Sequence, residues 1–183
     1  DVTVDIVSSP IVCVPGSNTC VNDSLEICNL LGTVVTSSLC SAGCNAGLCN
    51  PVTNDDCAGA LDITSTGSFV GRIEEYTRDY TPGFSGCTGR SANGPDATFL
   101  ITPPAGLVVT VDLIPDFDGS LWVTSGVTCA ANSCVAGSDS SGVGAESVQF
   151  VADGGSYTII VDASSTTVTG QFQLQYSAQA PSC

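Results

Sequence analysis

Six cysteines crowd between positions 13 and 49, at Cys13, Cys20, Cys28, Cys40, Cys44 and Cys49. A stretch of 37 residues cannot bury enough apolar surface to fold alone, so internal bridges are expected to take the place of a core. Spacing does not decide which cysteine joins which. Glycines 16, 32, 43 and 47 supply turns between them, "SLEICNL" and "GTVVTSS" read as a small hairpin, and the remainder reads as loop. Eleven cysteines in 183 residues, with no histidine, exceed what a reducing cytosol holds as inert thiols and do not follow a zinc pattern. The expectation is an exported, disulfide-bonded protein.

Charge narrows the chemistry. Eighteen acids face three bases, for a net charge of −15, and the bases are all arginine because lysine is absent. Without histidine there is no Ser-His-Asp or Cys-His relay and no imidazole base; without lysine there is no Schiff base and no P-loop. Nucleic acid and anionic membranes both call for a basic face, which this chain lacks. Fourteen of the acids are aspartate and four are glutamate. Short carboxylates in loops form turns, or they ligate a hard cation such as calcium. No apolar run approaches the length of a membrane span. The first residue is Asp1, with no charged or apolar leader behind it, so a signal peptide is expected to have been removed.

Four segments separate by composition: 1–10, a short alternating strand; 11–51, the cysteine-rich module; 52–178, an all-β domain; and 179–183, a tail ending on Cys183. In "GQFQLQYS", Phe172, Leu174 and Tyr176 alternate with Gln171, Gln173 and Gln175, the period of a half-buried strand. "LVVTVDLI" places Leu107, Val109, Val111 and Leu113 inward in the same way. Further strands are predicted at 68–73, 97–102, 120–124, 147–151 and 156–162, divided by Gly, Pro, Asp and Ser clusters. Phe99, Leu121, Phe150, Tyr157, Ile159 and Val161 would join the core. No amphipathic helix is found. The fold class is all-β, a jelly-roll-like β-sandwich with an N-terminal disulfide-stapled mini-module.

Five segments then follow in a telling order: "NDDCAGALDI" (54–63), "GSFVG" (67–71), "RDYTPGFSGCTGRSANGPDATFLITPP" (78–104), "DFDGSLWVTSG" (116–126) and "GGSYTIIVDASSTTVTGQFQLQYS" (154–177). Their succession, over roughly two thirds of the chain, resembles the bacterial pre-peptidase C-terminal domain, above all its disulfide-bearing secreted versions. The resemblance implies a non-catalytic jelly-roll-like sandwich of the kind that trails secreted peptidases, with calcium-binding relatives in collagen-degrading enzymes. Carried over residue by residue, Asn54 and Asp55 match the family's opening Asn-Asp, Asp79 the Asp before an aromatic, and Asp96 the Asp that opens the following strand. These are the calcium candidates, with Asp56 and Asp118 as weaker additions. A glycine-rich insertion at 84–94 separates Asp79 from Asp96. In the matching regions Cys57 is expected to bridge to Cys87, and Cys129 and Cys134 to staple a hairpin. Cys183 is then left over for an intermolecular bond.

Catalysis by carboxylates alone is weighed and set aside. Asp116 with Asp118, and Glu74 with Glu75, are too close in sequence to face each other across a substrate, and "GSDSSGVG" has no base to activate a hydroxyl. Asn22-Asp23-Ser24 is an N-glycosylation sequon. Val2, Val4 and Ile6 alternate with Thr3 and Asp5, a strand whose partner is not adjacent in sequence and which could be donated to a neighbouring subunit. With Cys183, that suggests head-to-tail self-association into an open fibre. The expected function is therefore a non-catalytic secreted structural protein, a subunit of an extracellular filament or cell-surface assembly. The alternative is an accessory module that binds protein or polysaccharide for a secreted enzyme, for which Trp122, Tyr76, Tyr80 and Phe84 are the available aromatic platforms.

Overall fold

A computed structural model describes residues 12–33, 35–82 and 87–181. Val2, Val4, Ile6, Phe84 and Cys183 lie outside the described residues. The chain divides into two units, 1–51 and 52–183.

In the first unit, β1 (Asn18–Val21), β2 (Ser24–Cys28) and β3 (Val35–Leu39) form an antiparallel sheet in that order, and β4 (Cys44–Asn45) pairs with β5 (Leu48–Cys49). The hairpin read from sequence is β2–β3, and β1 extends it. Two-residue turns close the other hairpins. Asn22, at φ 54°, begins one of them, and Ala46-Gly47, at φ 50° and 76°, makes the other. A side chain on Gly47 would also meet the Asn18 carbonyl oxygen at 2.7 Å, so glycine is required there twice over. Among its described residues, the buried ones are Cys28, Gly32, Cys40 and Gly47. No apolar core exists among its described residues, and sulfur replaces it. Bridges Cys13–Cys28, Cys20–Cys44 and Cys40–Cys49 close wholly within the unit, at Cα separations of 5.9, 5.5 and 5.3 Å.

The second unit continues with β6 (Leu61–Asp62), β7 (Ser68–Arg72), β8 (Asp96–Ile101), β9 (Val108–Pro115), β10 (Gly119–Ser125), β11 (Cys134–Ser138), β12 (Glu146–Val151), β13 (Tyr157–Ala163) and β14 (Gln171–Gln179). Its only helical pieces among the described residues are three short 3₁₀ turns. One sheet has the order β11-β10-β13-β8-β6 and the other β12-β9-β14-β7, and every pairing is antiparallel except β6 with β8. Together they make an all-β sandwich. Val109, Val111 and Leu113 from one sheet meet Phe99, Leu121, Val123, Ile159 and Val161 from the other, all fully buried, and each contributes about 2 kcal/mol of burial. Phe69, Phe99, Phe117 and Phe172 cluster by their rings, with Phe69 and Phe99 at 4.9 Å.

β13 departs from simple alternation, because all seven of its residues are buried. Its outward residues Thr158, Ile160 and Asp162, with Thr98 and Asp96 of β8 and Ser120, Trp122 and Thr124 of β10, are as buried as the core. A second apolar cluster of Trp122, Cys129 and Ile160, with Cys57, Tyr80 and Cys87 packed on it, seals that outer face. The five-stranded sheet is thus covered on both sides, which explains the near-continuous "YTIIV" run.

The disulfides of this unit correct the sequence expectation. Cys57 joins Cys129 and Cys87 joins Cys134, at Cα separations of 6.0 and 5.4 Å, in place of Cys57–Cys87 and Cys129–Cys134. The reason is local. A 3₁₀ turn at Ala131–Ser133 separates the two sulfurs of "CAANSC". Cys129, at φ 46°, turns in under Trp122, while Cys134 enters β11 opposite Thr124. Each then meets a different part of the covering loops.

Candidate metal centre

The predicted cation ligands gather where the chain joins the sandwich and at the start of β8. Residues 54–56 run along the outer side of that strand, with the Asn54 carbonyl accepting the Thr98 amide at 2.8 Å. This leaves Asp55 half-buried beside the 76–80 segment. Its Oδ1 accepts the Thr77 amide at 2.6 Å, and its Oδ2 lies 2.8 Å from the Thr77 hydroxyl. Asp79 Oδ2 lies 2.9 Å from the same hydroxyl. One hydroxyl hydrogen can serve only one of the two carboxylates. The other contact sets lone pair against lone pair, an arrangement that a bound cation resolves.

Asp96 completes the group. Its Oδ2 accepts the amides of Asp79 and Tyr80, each at 2.9 Å, so the strand carboxylate holds the loop that carries its neighbour across the 84–94 insertion. Asp96 is fully buried. Burial, aided by the charges of Asp79 and Asp55 and opposed by the two amides, pushes its pKa up to about 7. The structure therefore brings Asp55, Asp79 and Asp96 into one electrostatic cluster.

The remaining candidates are placed otherwise. The Asn54 side chain is buried and accepts the Tyr76 hydroxyl at 3.3 Å, turned toward that ring. Asp56 caps the first 3₁₀ turn through the Gly59 amide at 2.8 Å, and Asp118 accepts the Gly142 amide at 2.9 Å. Glu74 pairs with Arg72 and accepts the Gly170 amide. Asn22 sits exposed in its turn. Trp122 and Tyr76 are buried and Tyr80 is half-buried, with its hydroxyl accepting the Cys57 amide at 2.9 Å, so none of the three offers a free ring to a sugar.

Two residues escaped sequence reasoning. Thr77, in "EYTRDY", carries no signal of its own; only folding makes it the bridge between Asp55 and Asp79. Asp162 stands directly opposite Asp96 across the β13–β8 ladder, a pairing that only the cross-strand register reveals.

Carboxylate oxygens brought together around the exposed 77–79 loop suit a hard cation of the calcium class. Among solved structures, the crystallised pre-peptidase C-terminal domain of a collagenase from Bacillus anthracis matches 64% of this chain and 92% of its own length. The chain is similar to a pre-peptidase C-terminal domain. Identity is 9% and the TM-score 0.43, values at which the likeness carries no information on function. No family model matches the sequence, and no curated protein does.

Proposed function

We propose that the sandwich is a non-catalytic, calcium-clamped accessory module of an exported protein, and that it recognises another extracellular protein. The carboxylate cluster carries this reading: Asp55, Asp79 and Asp96 from three separate segments converge, and Asp55 and Asp79 share the single Thr77 hydroxyl. An ion held by Asp55 and Asp79, with Asp96 beside it, would tie the start of the domain to the loop over β8. Five disulfides support an oxidising compartment, and among the described residues no helix is long and apolar enough to cross a membrane. Buried Trp122 and Tyr76 favour a protein target over a polysaccharide. Filament assembly rests on Val2, Val4, Ile6 and Cys183, outside the described residues, so the accessory reading takes precedence.

The test is thermal unfolding of the oxidised chain with calcium and with chelator. Millimolar calcium raises Tm, and Asp55→Asn reduces the rise. An unchanged Tm with no calcium bound by calorimetry would remove the clamp. Light scattering on the same samples gives a monomer; ordered higher species would move the reading to the structural subunit.

A further inference from the structure

Asp96 Oδ1, both carboxylate oxygens of Asp162 and Ser120 Oγ are buried without a hydrogen-bond partner. Their residues are 0%, 0% and 1% exposed. They are also in register: Ser120 stands opposite Asp162 across β10–β13, and Asp162 opposite Asp96 across β13–β8. Residues directly opposite share a face of the sheet, so these oxygens form one row across three strands on the covered side. Asp139 adds its charge at the far end.

The two nearest charged or backbone donors that act on Asp162, the Ala163 amide and Arg78, are also engaged elsewhere. The Ala163 amide gives its hydrogen to Pro95 O at 3.1 Å. Arg78 acts on Asp162 from a distance, but its guanidinium donates to Asn93 Oδ1 at 3.0 Å and to Thr81 Oγ1 at 3.4 Å. The Ser120 hydroxyl lies near Asp139 without closing a hydrogen bond. A charged buried carboxylate left unpaired costs several kcal/mol, and the two facing acids disfavour each other's charged form across adjacent strands.

We infer that Asp162, Asp96 and Ser120 form a second, interior cation site, which takes a hard divalent ion of the calcium class between the five-stranded sheet and its covering loop. Two carboxylates and a hydroxyl supply oxygen ligands only, which excludes soft metals. Asp96 joins this site to the loop cluster, offering Oδ1 here while Oδ2 holds the amides of Asp79 and Tyr80. The covering segment closes directly over the row: Gly94 N donates to Ala163 O at 2.7 Å, and Asp96 N to Thr77 O at 2.9 Å. Asp162 and Ser120 belong to this site alone, so it stands apart from an ion between Asp55 and Asp79.

Terbium, a luminescent stand-in for calcium, separates the two sites. Trp122, the single tryptophan, lies two residues from Ser120 on the same face, so excitation selective for tryptophan sensitises an ion in the interior row. Terbium titration of the oxidised full chain, with equilibrium dialysis against calcium, is run on the wild type and on Asp162→Asn, Ser120→Ala and Asp55→Asn. Asp162→Asn abolishes the tryptophan-sensitised emission and removes one bound calcium. Ser120→Ala weakens that ion about tenfold. Asp55→Asn leaves the emission in place. If Asp162→Asn binds as much calcium as wild type and keeps the emission, the interior site is wrong, whatever Asp55→Asn does. Loss of the emission with Asp162→Asn but no calcium lost with Asp55→Asn would sustain the interior site and overturn the loop clamp. Asp162→Asn removes a buried ionisable group, so its Tm in chelator is at least that of wild type. A lower value, with the ion lost through unfolding, would pass the decision to Ser120→Ala, and unchanged affinity there would overturn the site.

Discussion

On the four-stranded sheet, Gln171, Gln173 and Gln175 of β14 point away from the core and meet solvent to differing degrees. On the five-stranded sheet, Thr158, Ile160 and Asp162 of β13 also point away from the core, yet all are buried. Alternation of period two is present in both strands and gives the inward set in each. What it cannot give is whether the outward set ends in water. That depends on a covering layer built from distant loops, which two disulfides anchor: Cys57 and Cys129 meet over Trp122 and Ile160, with Cys87 beside them. One face therefore consists of solvated amides, and the other of polar groups that must find partners in a dry space.

The sharpest way to break that contrast is to release the cover. Cys57 and Cys129 are 72 residues apart, and a bridge closing so long a loop restricts the unfolded chain by about 4 kcal/mol in the chain-entropy account. The double variant Cys57→Ser, Cys129→Ser is expected to lose stability of that order in urea unfolding and to raise amide exchange in β13 more than in β14. Equal protection in the two strands would show that packing alone holds the cover.

A second contrast lies in titration. Burial, with Asp96 opposite, pushes the Asp162 pKa up to about 9, and Asp96 itself stands at about 7. Unfolded, both return to about 3.8, the ordinary Asp value. Between these limits the folded chain binds more protons than the unfolded one, so the stability of the metal-free protein falls as pH rises from about 4 toward about 9. In chelator Tm therefore declines across that range, and saturating calcium flattens the decline because the ion replaces the protons. A level Tm in chelator would mean that these carboxylates have donors or counter-charges beyond those described.

How much of this was legible follows from the same contrast. Strands with one solvated face, such as 107–114 and 170–177, were readable to within a residue or two because Val109, Val111, Leu113, Phe172 and Leu174 repeat at the spacing of the pleat. β11 was missed: "CVAGS" is short, edge-lying and nearly without large side chains, and β6 spans two residues. The bridges of the first module were readable as a closed set, since a segment with no core has nothing else to hold it. Those of the sandwich were not, because the 3₁₀ turn between Cys129 and Cys134 leaves no mark in composition. At the candidate site, Asp55, Asp79 and Asp96 were found through motif resemblance. Thr77 and Asp162 were not, since their roles come from a fold-back and from a cross-strand register. The clue for the closed face was Trp122 and Ile160, two large apolar residues at outward positions, which a solvated sheet would not carry.

The mildest test probes the open face by itself. Gln175 is exposed and stands opposite Asp112 on β9 and Ser68 on β7, and Asp112 accepts the Ser147 hydroxyl at 2.6 Å. A lysine here would face a carboxylate directly across the ladder in a chain that otherwise has none, and opposite charges so placed contribute about 0.5 kcal/mol. Gln175→Lys is thus expected to raise stability by that small amount at low salt and Gln175→Glu to lower it as much, with both effects fading at high ionic strength. Screening by salt is itself informative, because only a solvated pair is screened. A loss of several kcal/mol for either variant, insensitive to salt, would show that something covers this face as well, and the two sides of the sandwich would then differ in their cover and no longer in whether they have one.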